Sequence, residues 1–430
     1  MRAAAIRLGI IAGGGSLPIE IARSVTGRGG RVHVLMIEGE ADEALRTFPH
    51  DTVNWAKLGR AIRILKRNNI DDLIMVGRMS RPSFRTARPD FGFIRSLPRI
   101  MRALKAGGDD AVLRGVVQLF ETRGLHVRSI GEVAPELLMA EGPLGFHAPL
   151  PADDADIAKG MSLVAALGPF DIGQAVVVAG GKVEAIEGAE GTDRMLQRVR
   201  DLRVAGDVDV ETLRLGVLVK RPKPGQDTRL DLPAIGPETV DGVVAAGLSG
   251  IAGMTGAVLA ANRFEMVERA DRAQVFVAGT SFAAPAPAIP NGPIEPIVFG
   301  GKSIPLERAR DVDKGVRIMG VLGDFATGSA LVIAGGRVIA VGTRESAADV
   351  LRRAAPYVHS KRRNAVMFVG PREALDEPLM RAAAAVGISG VIVIFGRGDG
   401  AAHKGPVLEV ADRFGLFIAG AAADPRVAAF

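Results

Sequence analysis

The sequence predicts an α/β protein of several domains, and three observations carry that prediction. Short apolar runs alternate with helical patterns along the whole chain. A glycine turn, Gly13-Gly14-Gly15-Ser16, ends the first apolar run and opens a helix at Leu17-Pro18. The last third of the chain repeats, in degraded form, the order of glycines and apolar runs found in its middle.

Length and composition set the frame. A chain of 430 residues is too long for one ordinary core, and 48% apolar content spread among Gly and Pro belongs to a folded protein. Cysteine is absent, which excludes a disulfide frame and thiolate chemistry and suits a reducing, cytoplasmic compartment. A net charge of +6 favours anionic partners such as phosphates or an anionic leaflet. One Trp and one Tyr leave no base-stacking platform, so nucleic acid is not expected as a partner. The start, MRAAAIRLGIIAGGG, lacks the apolar segment and cleavage site of a signal peptide. The uncharged stretch 242–261 carries Gly247, Gly250, Gly253 and Gly256, which argue for a helix end followed by strands and turns rather than a membrane span.

Element by element, Leu8–Ala12 reads as a buried strand and Leu17–Ser24 as a helix. Amides of the turn Gly13, Gly14, Gly15, Ser16 and the helix dipole converge there on an anion site of Rossmann-like type. The dinucleotide fingerprint is broken by Pro18, which disfavours a nicotinamide enzyme although Glu38 follows the second strand, Val32–Ile37. The basic helix ending at Asn69 leads to a third strand, Asp72–Val76, whose end carries Arg78 and Arg81, where open α/β sheets place ligand contacts. Residues 95–105 read as a basic helix with interleaved apolar positions, for which a solvated face is the favoured reading and grazing contact with an anionic membrane surface the other. Asp109 and Asp110 start the helix 111–123, and a short strand follows at 125–127. His126 and His147 have no partners at metal-ligand spacing. The Pro-rich stretch 132–152 reads as a linker, and 153–167 as a helix. A hairpin 174–179 and 183–187 turns at Gly180-Gly181. Thr192 and Asp193 stand at the start of the next helix, where they can cap it.

The stretch Gly216–Pro237, GVLVKRPKPGQDTRLDLPAIGP, is the richest in chemistry. A strand-like run breaks into a loop with Lys220, Arg221 and Lys223 among prolines, followed by Gln226, Asp227, Arg229 and Asp231. Cations beside carboxylates can hold a polyanionic phosphate while a carboxylate binds metal or orients water. Pro237 then opens a helix closed by Gly247.

KRPKPGQDTRLDLPAIGP, with GIIAGGGSLP near the start and EGTDRML between them, resembles the UDP-2,3-diacylglucosamine pyrophosphatase (LpxI) family of lipid A biosynthesis, over residues 7–280. The resemblance implies hydrolysis of a lipid-linked nucleotide sugar, UDP-2,3-diacylglucosamine, to UMP and 2,3-diacylglucosamine 1-phosphate, with Mg²⁺. It implies Asp231 as Mg²⁺ ligand or water-orienting group, with Lys223 and Asp193 completing the catalytic set. Gly13–Ser16, Arg78, Arg81, Asp110, Thr192, Lys220, Gln226 and Asp227 would bind substrate. A non-catalytic nucleotide-sugar binding or scaffold protein is the alternative, which intact Asp193, Lys223, Asp227 and Asp231 disfavour.

The repeat matches 156–279 with 311–420. IAKG at 157–160 answers VDKG at 312–315, and Ala179-Gly-Gly-Lys-Val answers Ala334-Gly-Gly-Arg-Val, at one offset of 155 positions. The later stretch has no counterpart of GQDTRLD, and Ala348 stands opposite Asp193. The expected domains are therefore a nucleotide-binding-like domain over 1–131, a linker over 132–152 and a catalytic α/β domain over 153–280. A Pro-rich connector over 281–296 and a degenerate, inert copy over 297–430 complete the chain. Like surfaces associate by two-fold contacts, so the copy is expected to form an internal pseudo-dimer, with a homodimer as the other arrangement.

Overall fold

The structure is a computed structural model; it describes residues 6–79, 88–93, 114–224, 227, 229, 232–282, 296–358, 364–395 and 406–422. The chain is α/β and divides into two compact units. The first comprises 1–140, 226–237 and 255–267, and the second comprises 141–225, 238–254 and 268–430. The stretch after Gly225 thus leaves the module in which its preceding strand lies, a departure that strand and helix patterns do not signal.

The first unit is built on a five-stranded parallel sheet in the order His50–Val53, Arg31–Ile37, Arg7–Ala12, Asp72–Val76, His126–Val127. In chain order that is 3-2-1-4-5, the doubly wound order whose ligand crevice lies where the direction of winding reverses, between the first and fourth strands. The strand His50–Val53 interrupts the expected succession because its alternation is weak; it is a short edge strand with one fully buried side chain, Val53. Leu8, Ile10, Ile21, Ala22, Val34 and Ile74 pack on one side of the sheet, and Leu35, Leu65, Leu73 and Phe120 on the other. The short helix Ile130–Val133 and the 3-10 turn Pro135–Leu137 stand where an irregular linker is expected; Ser129 and Glu132 form a reciprocal capping box on the first. A two-stranded parallel pair, Ala234–Ile235 with Leu259–Ala260, completes this unit.

The second unit contains two six-stranded sheets of one topology. The first runs Gly142–Pro143, Phe276–Thr280, Gly250–Met254, Val217–Lys220, Ala175–Ala179, Lys182–Ile186. The second runs Ile297–Val298, Phe417–Ala422, Ile388–Phe395, Ala365–Val369, Ala330–Ala334, Arg337–Val341. In each, three inner strands are parallel and the outer ones antiparallel. Each terminal hairpin slips register at the matching place, between Val177 and Val178 and between Val332 and Ile333. Each also turns through two glycines of positive φ, Gly180-Gly181 and Gly335-Gly336, the geometry a two-residue hairpin requires. The helices Pro151–Leu167 and Ala309–Asp324 lie within one continuous core that joins Met161 and Val164 to Val312, Val316 and Phe368. The uncharged stretch 242–261 resolves into the end of helix Pro237–Ala245, the strand Gly250–Met254 and the short strand Leu259–Ala260. Among the described residues no helix is long and apolar enough to cross a membrane.

Candidate functional site

In the first unit the expected anion site falls at the reversal of winding. The amide of Gly13 donates to the Val76 carbonyl at 2.9 Å, and Gly14 and Arg78 exchange two backbone hydrogen bonds of 2.8 Å. This lacing leaves no room for side chains. A Cβ on Gly13 would stand 2.3 Å from the Arg78 carbonyl oxygen, and one on Gly77 (φ +100°) 2.8 Å from the Gly13 carbonyl carbon. The Arg78 Nε lies 3.8 Å from where a Gly15 Cβ would be, so the guanidinium sits beside the first turn of helix Leu17–Gly27. The Ser16 side chain makes no capping bond to that helix. A cation and a helix N-terminus meet over a glycine turn, an arrangement that suits an anion. Glu38 instead accepts from Asn54 Nδ2 at 3.1 Å.

Asp227, also in this unit, is gripped by its neighbour. Arg229 donates Nε and Nη2 to the two carboxylate oxygens at 2.8 and 2.7 Å, and its Nη1 reaches Glu121 at 2.8 Å. The hydrogen bond from Arg229 holds the Asp227 carboxyl below the usual carboxylate range. As a depressed acid paired with a fork-shaped cation, Asp227 shapes its loop as well as presenting charge.

In the second unit, Lys220 closes the strand Val217–Lys220 and is 6% exposed. Its Nζ donates to Thr192 Oγ1 at 3.0 Å, Thr192 donates to Glu187 Oε1 at 2.7 Å, and the other oxygen of Glu187 accepts from the Gln174 amide at 2.7 Å. Thr192 is therefore not the cap of its helix. Gly191, with φ +81°, takes that place, and the Thr192 hydroxyl is turned to Lys220 and Glu187 instead. Asp193 stands exposed in the first turn of helix Thr192–Ala205, where the dipole favours a carboxylate. Lys223 pairs with Asp171, whose left-handed backbone (φ 58°) ends the 3-10 turn Gly168–Phe170. Pro224 fills the space a Gly168 side chain would need, its Cδ 2.2 Å from that Cβ position. Between them Arg221 reaches the Met161 carbonyl at 3.1 Å, and burial lowers the pKa of its guanidinium. The lysine loop is thereby pinned on either side of Lys223.

The structure thus brings Gly13, Gly14, Gly15, Ser16 and Arg78 together in one unit, and Thr192, Asp193, Lys220 and Lys223 into one module of the other. Arg81, Asp110, Gln226 and Asp231 lie outside the described residues, as does the expected basic helix over 95–105. Glu187 and Asp171 are the residues that sequence reasoning passed over. Glu187 opens the EGAEGTD run, where the contacts of its carboxylate with Thr192 and Gln174 are not encoded by any spacing; Asp171 is signalled only by its place after Gly-Pro-Phe.

A doubly wound unit, and a module in which a buried lysine donates to a hydroxyl that in turn donates to a carboxylate, define a protein of the α/β class. Residues 7–137 match the family model described as the LpxI N-terminal domain, and residues 140–278 that of the LpxI C-terminal domain. The UDP-2,3-diacylglucosamine pyrophosphatase LpxI of Caulobacter vibrioides is 40% identical over 273 residues, which are 64% of this chain and 97% of that protein. The chain belongs to the LpxI family.

Proposed function

We propose that the protein hydrolyses the pyrophosphate of UDP-2,3-diacylglucosamine, giving UMP and 2,3-diacylglucosamine 1-phosphate, in lipid A biosynthesis. The observation that carries the reading is the match to a relative of that name along 97% of its length. The local geometry supports it. The buried Lys220 ammonium, with few waters to compete, suits the negative charge that develops as a phosphoanhydride is cleaved. Lys223, pinned by Asp171 and Pro224, is the second cation for those oxygens. The glycine turn and Arg78 suit the nucleotide phosphate. Asp231 orients the attacking water, and Asp193, exposed at a helix start, is available to substrate or water. Cytoplasmic location with peripheral contact at the inner membrane belongs to the same proposal, as the substrate is a lipid.

Mg²⁺ belongs to it through Asp231, with Asp110 as a further substrate or metal contact. Among the described residues no group of three or more His, Asp or Glu side chains could hold a metal ion, and Asp227 is occupied by Arg229. The roles given to the lysines and the glycine turn do not depend on the ion.

The test is UMP release from UDP-2,3-diacylglucosamine by the full chain and by Asp231→Ala, each with Mg²⁺ and with excess chelator. Wild type is expected to turn over, and Asp231→Ala to lose about 10²-fold or more while still binding substrate. Chelation is expected to stop wild type. Absence of UMP release by wild type with Mg²⁺, despite substrate binding, would make the chain a binder and end the proposal.

A further inference from the structure

The two sheets of the second unit meet through a closed ring of four buried charges. Arg198 donates to Glu190 at 2.7 Å and to Glu345 at 3.0 Å; Arg353 donates to Glu190 at 2.7 Å and to Glu345 at 2.8 Å. All four side chains are at most 15% exposed. The ring is symmetric in the sequence: 190 and 345, and 198 and 353, are related by the same offset of 155 as the glycine turns. Arg198 also donates to the Ile186 carbonyl and Arg353 to that of Val341, again an equivalent pair.

What has changed across that symmetry is the chemistry. In register, Glu187, Thr192 and Asp193 are answered by Gly342, Ala347 and Ala348. Lys220, paired with Ala175, is answered by Val369, paired with Ala330. These four polar groups have gone from the later module, although Arg372 stands where Lys223 does, while both ring residues, Glu345 and Arg353, remain. Drift alone would not spare two ionised side chains in a buried place, where each is costly unless its partners stay.

The ring holds one particular stretch. Glu190 lies between Glu187 and Thr192. Next to it, the Ala189 amide donates to the Ile339 carbonyl at 3.1 Å, and a Cβ on Gly188 would come within 2.9 Å of that same oxygen. So 188–190, just ahead of the helix start bearing Thr192 and Asp193, are fastened to the later module.

We propose that residues 297–422 are a second copy of the module that precedes them, without counterparts of Glu187, Thr192, Asp193 and Lys220, and kept as an internal partner that sets the Glu187–Asp193 stretch, with Glu345 and Arg353 as its positioning residues. This rests on the reading of Thr192 and Asp193 as site residues. It assigns the last third of the chain a task that needs no ligand of its own.

The test uses the full chain carrying Glu345→Gln with Arg353→Gln. That double change removes one charge of each sign and leaves Glu190 paired with Arg198, so no buried charge is stranded. Arg353→Lys serves as the conservative variant, and Val316→Ala weakens the shared core away from the loop. Two readings are taken: kcat and KM for UMP release, and amide hydrogen exchange over 188–193. The double variant is expected to lose about tenfold or more in kcat with KM changed less, and to exchange at least about tenfold faster over 188–193. Arg353→Lys should recover much of both, and Val316→Ala should leave both within about twofold despite a lower Tm. If exchange over 188–193 in the folded double variant equals that of wild type, the positioning role is overturned. If wild type releases no UMP but the double variant exchanges faster there, the hydrolase reading falls while the positioning role stands.

Discussion

Lys220 concentrates the argument at the scale of single residues. An ammonium 6% exposed is costly to keep charged unless its surroundings hold it, and Lys220 Nζ donates to the Thr192 hydroxyl at 3.0 Å. Lys220→Met keeps the stem and removes the charge. The expected outcome is a folded protein that loses about 10²-fold in UMP release. Activity within about twofold of wild type would make Lys220 structural. The sequence made Lys220 legible as a cation at a strand end, and family motifs drew attention to Thr192. Their contact was not legible, because it joins a helix start to a strand end across 28 positions. Nor was the capture of Asp227 by Arg229: the two-residue spacing is visible, but a bidentate pairing depends on how the loop turns.

Elements were easier to read than contacts, and the first strand–turn–helix shows where the limit lies. The apolar run, the glycines and Pro18 place a strand, a turn and a helix, and the structure has them at Arg7–Ala12 and Leu17–Gly27. Why the turn must be glycine is not local. Gly13 is crowded by the backbone of Arg78, which arrives from the strand Asp72–Val76 some sixty residues later, and backbone cannot swing aside as a side chain can. Gly13→Ala is therefore expected to lower stability by about 1–3 kcal/mol. Gly27→Ala, at a helix end with nothing within 4 Å of the new methyl, should be neutral or stabilising by up to about 1 kcal/mol. Urea unfolding of the two variants checks the contrast. Equal midpoints would mean that the Arg78 backbone yields and that the lacing at the crevice is not rigid. Edge elements escaped for a related reason: His50–Val53 and Gly142–Pro143 are strands only because a neighbour offers them hydrogen bonds.

At the scale of the molecule, repeated glycines and a shared offset made the likeness of the two later modules visible, and their identical strand order is the structural form of that likeness. The faces they turn to each other were not visible, since apolar helix positions do not name their partner and no spacing marks the four ring charges as partners. Those faces decide the oligomeric state. A single module would leave the core-facing side of helix Pro151–Leu167 and the Glu190–Arg198 pair open to a second copy, an isologous contact. Here Val312, Val316, Met319, Glu345 and Arg353 of the same chain already cover them. A further chain could bind there only by displacing a covalently tethered partner, whose effective concentration is of millimolar order for a short connector. The expected mass by light scattering is therefore that of one chain, 45.0 kDa, across micromolar concentrations. The Glu345→Gln, Arg353→Gln variant should stay at the same mass, because the apolar part of the contact is intact. A stable dimer of the wild type would show that association uses another surface, and would separate the question of oligomeric state from the internal pairing of the two modules.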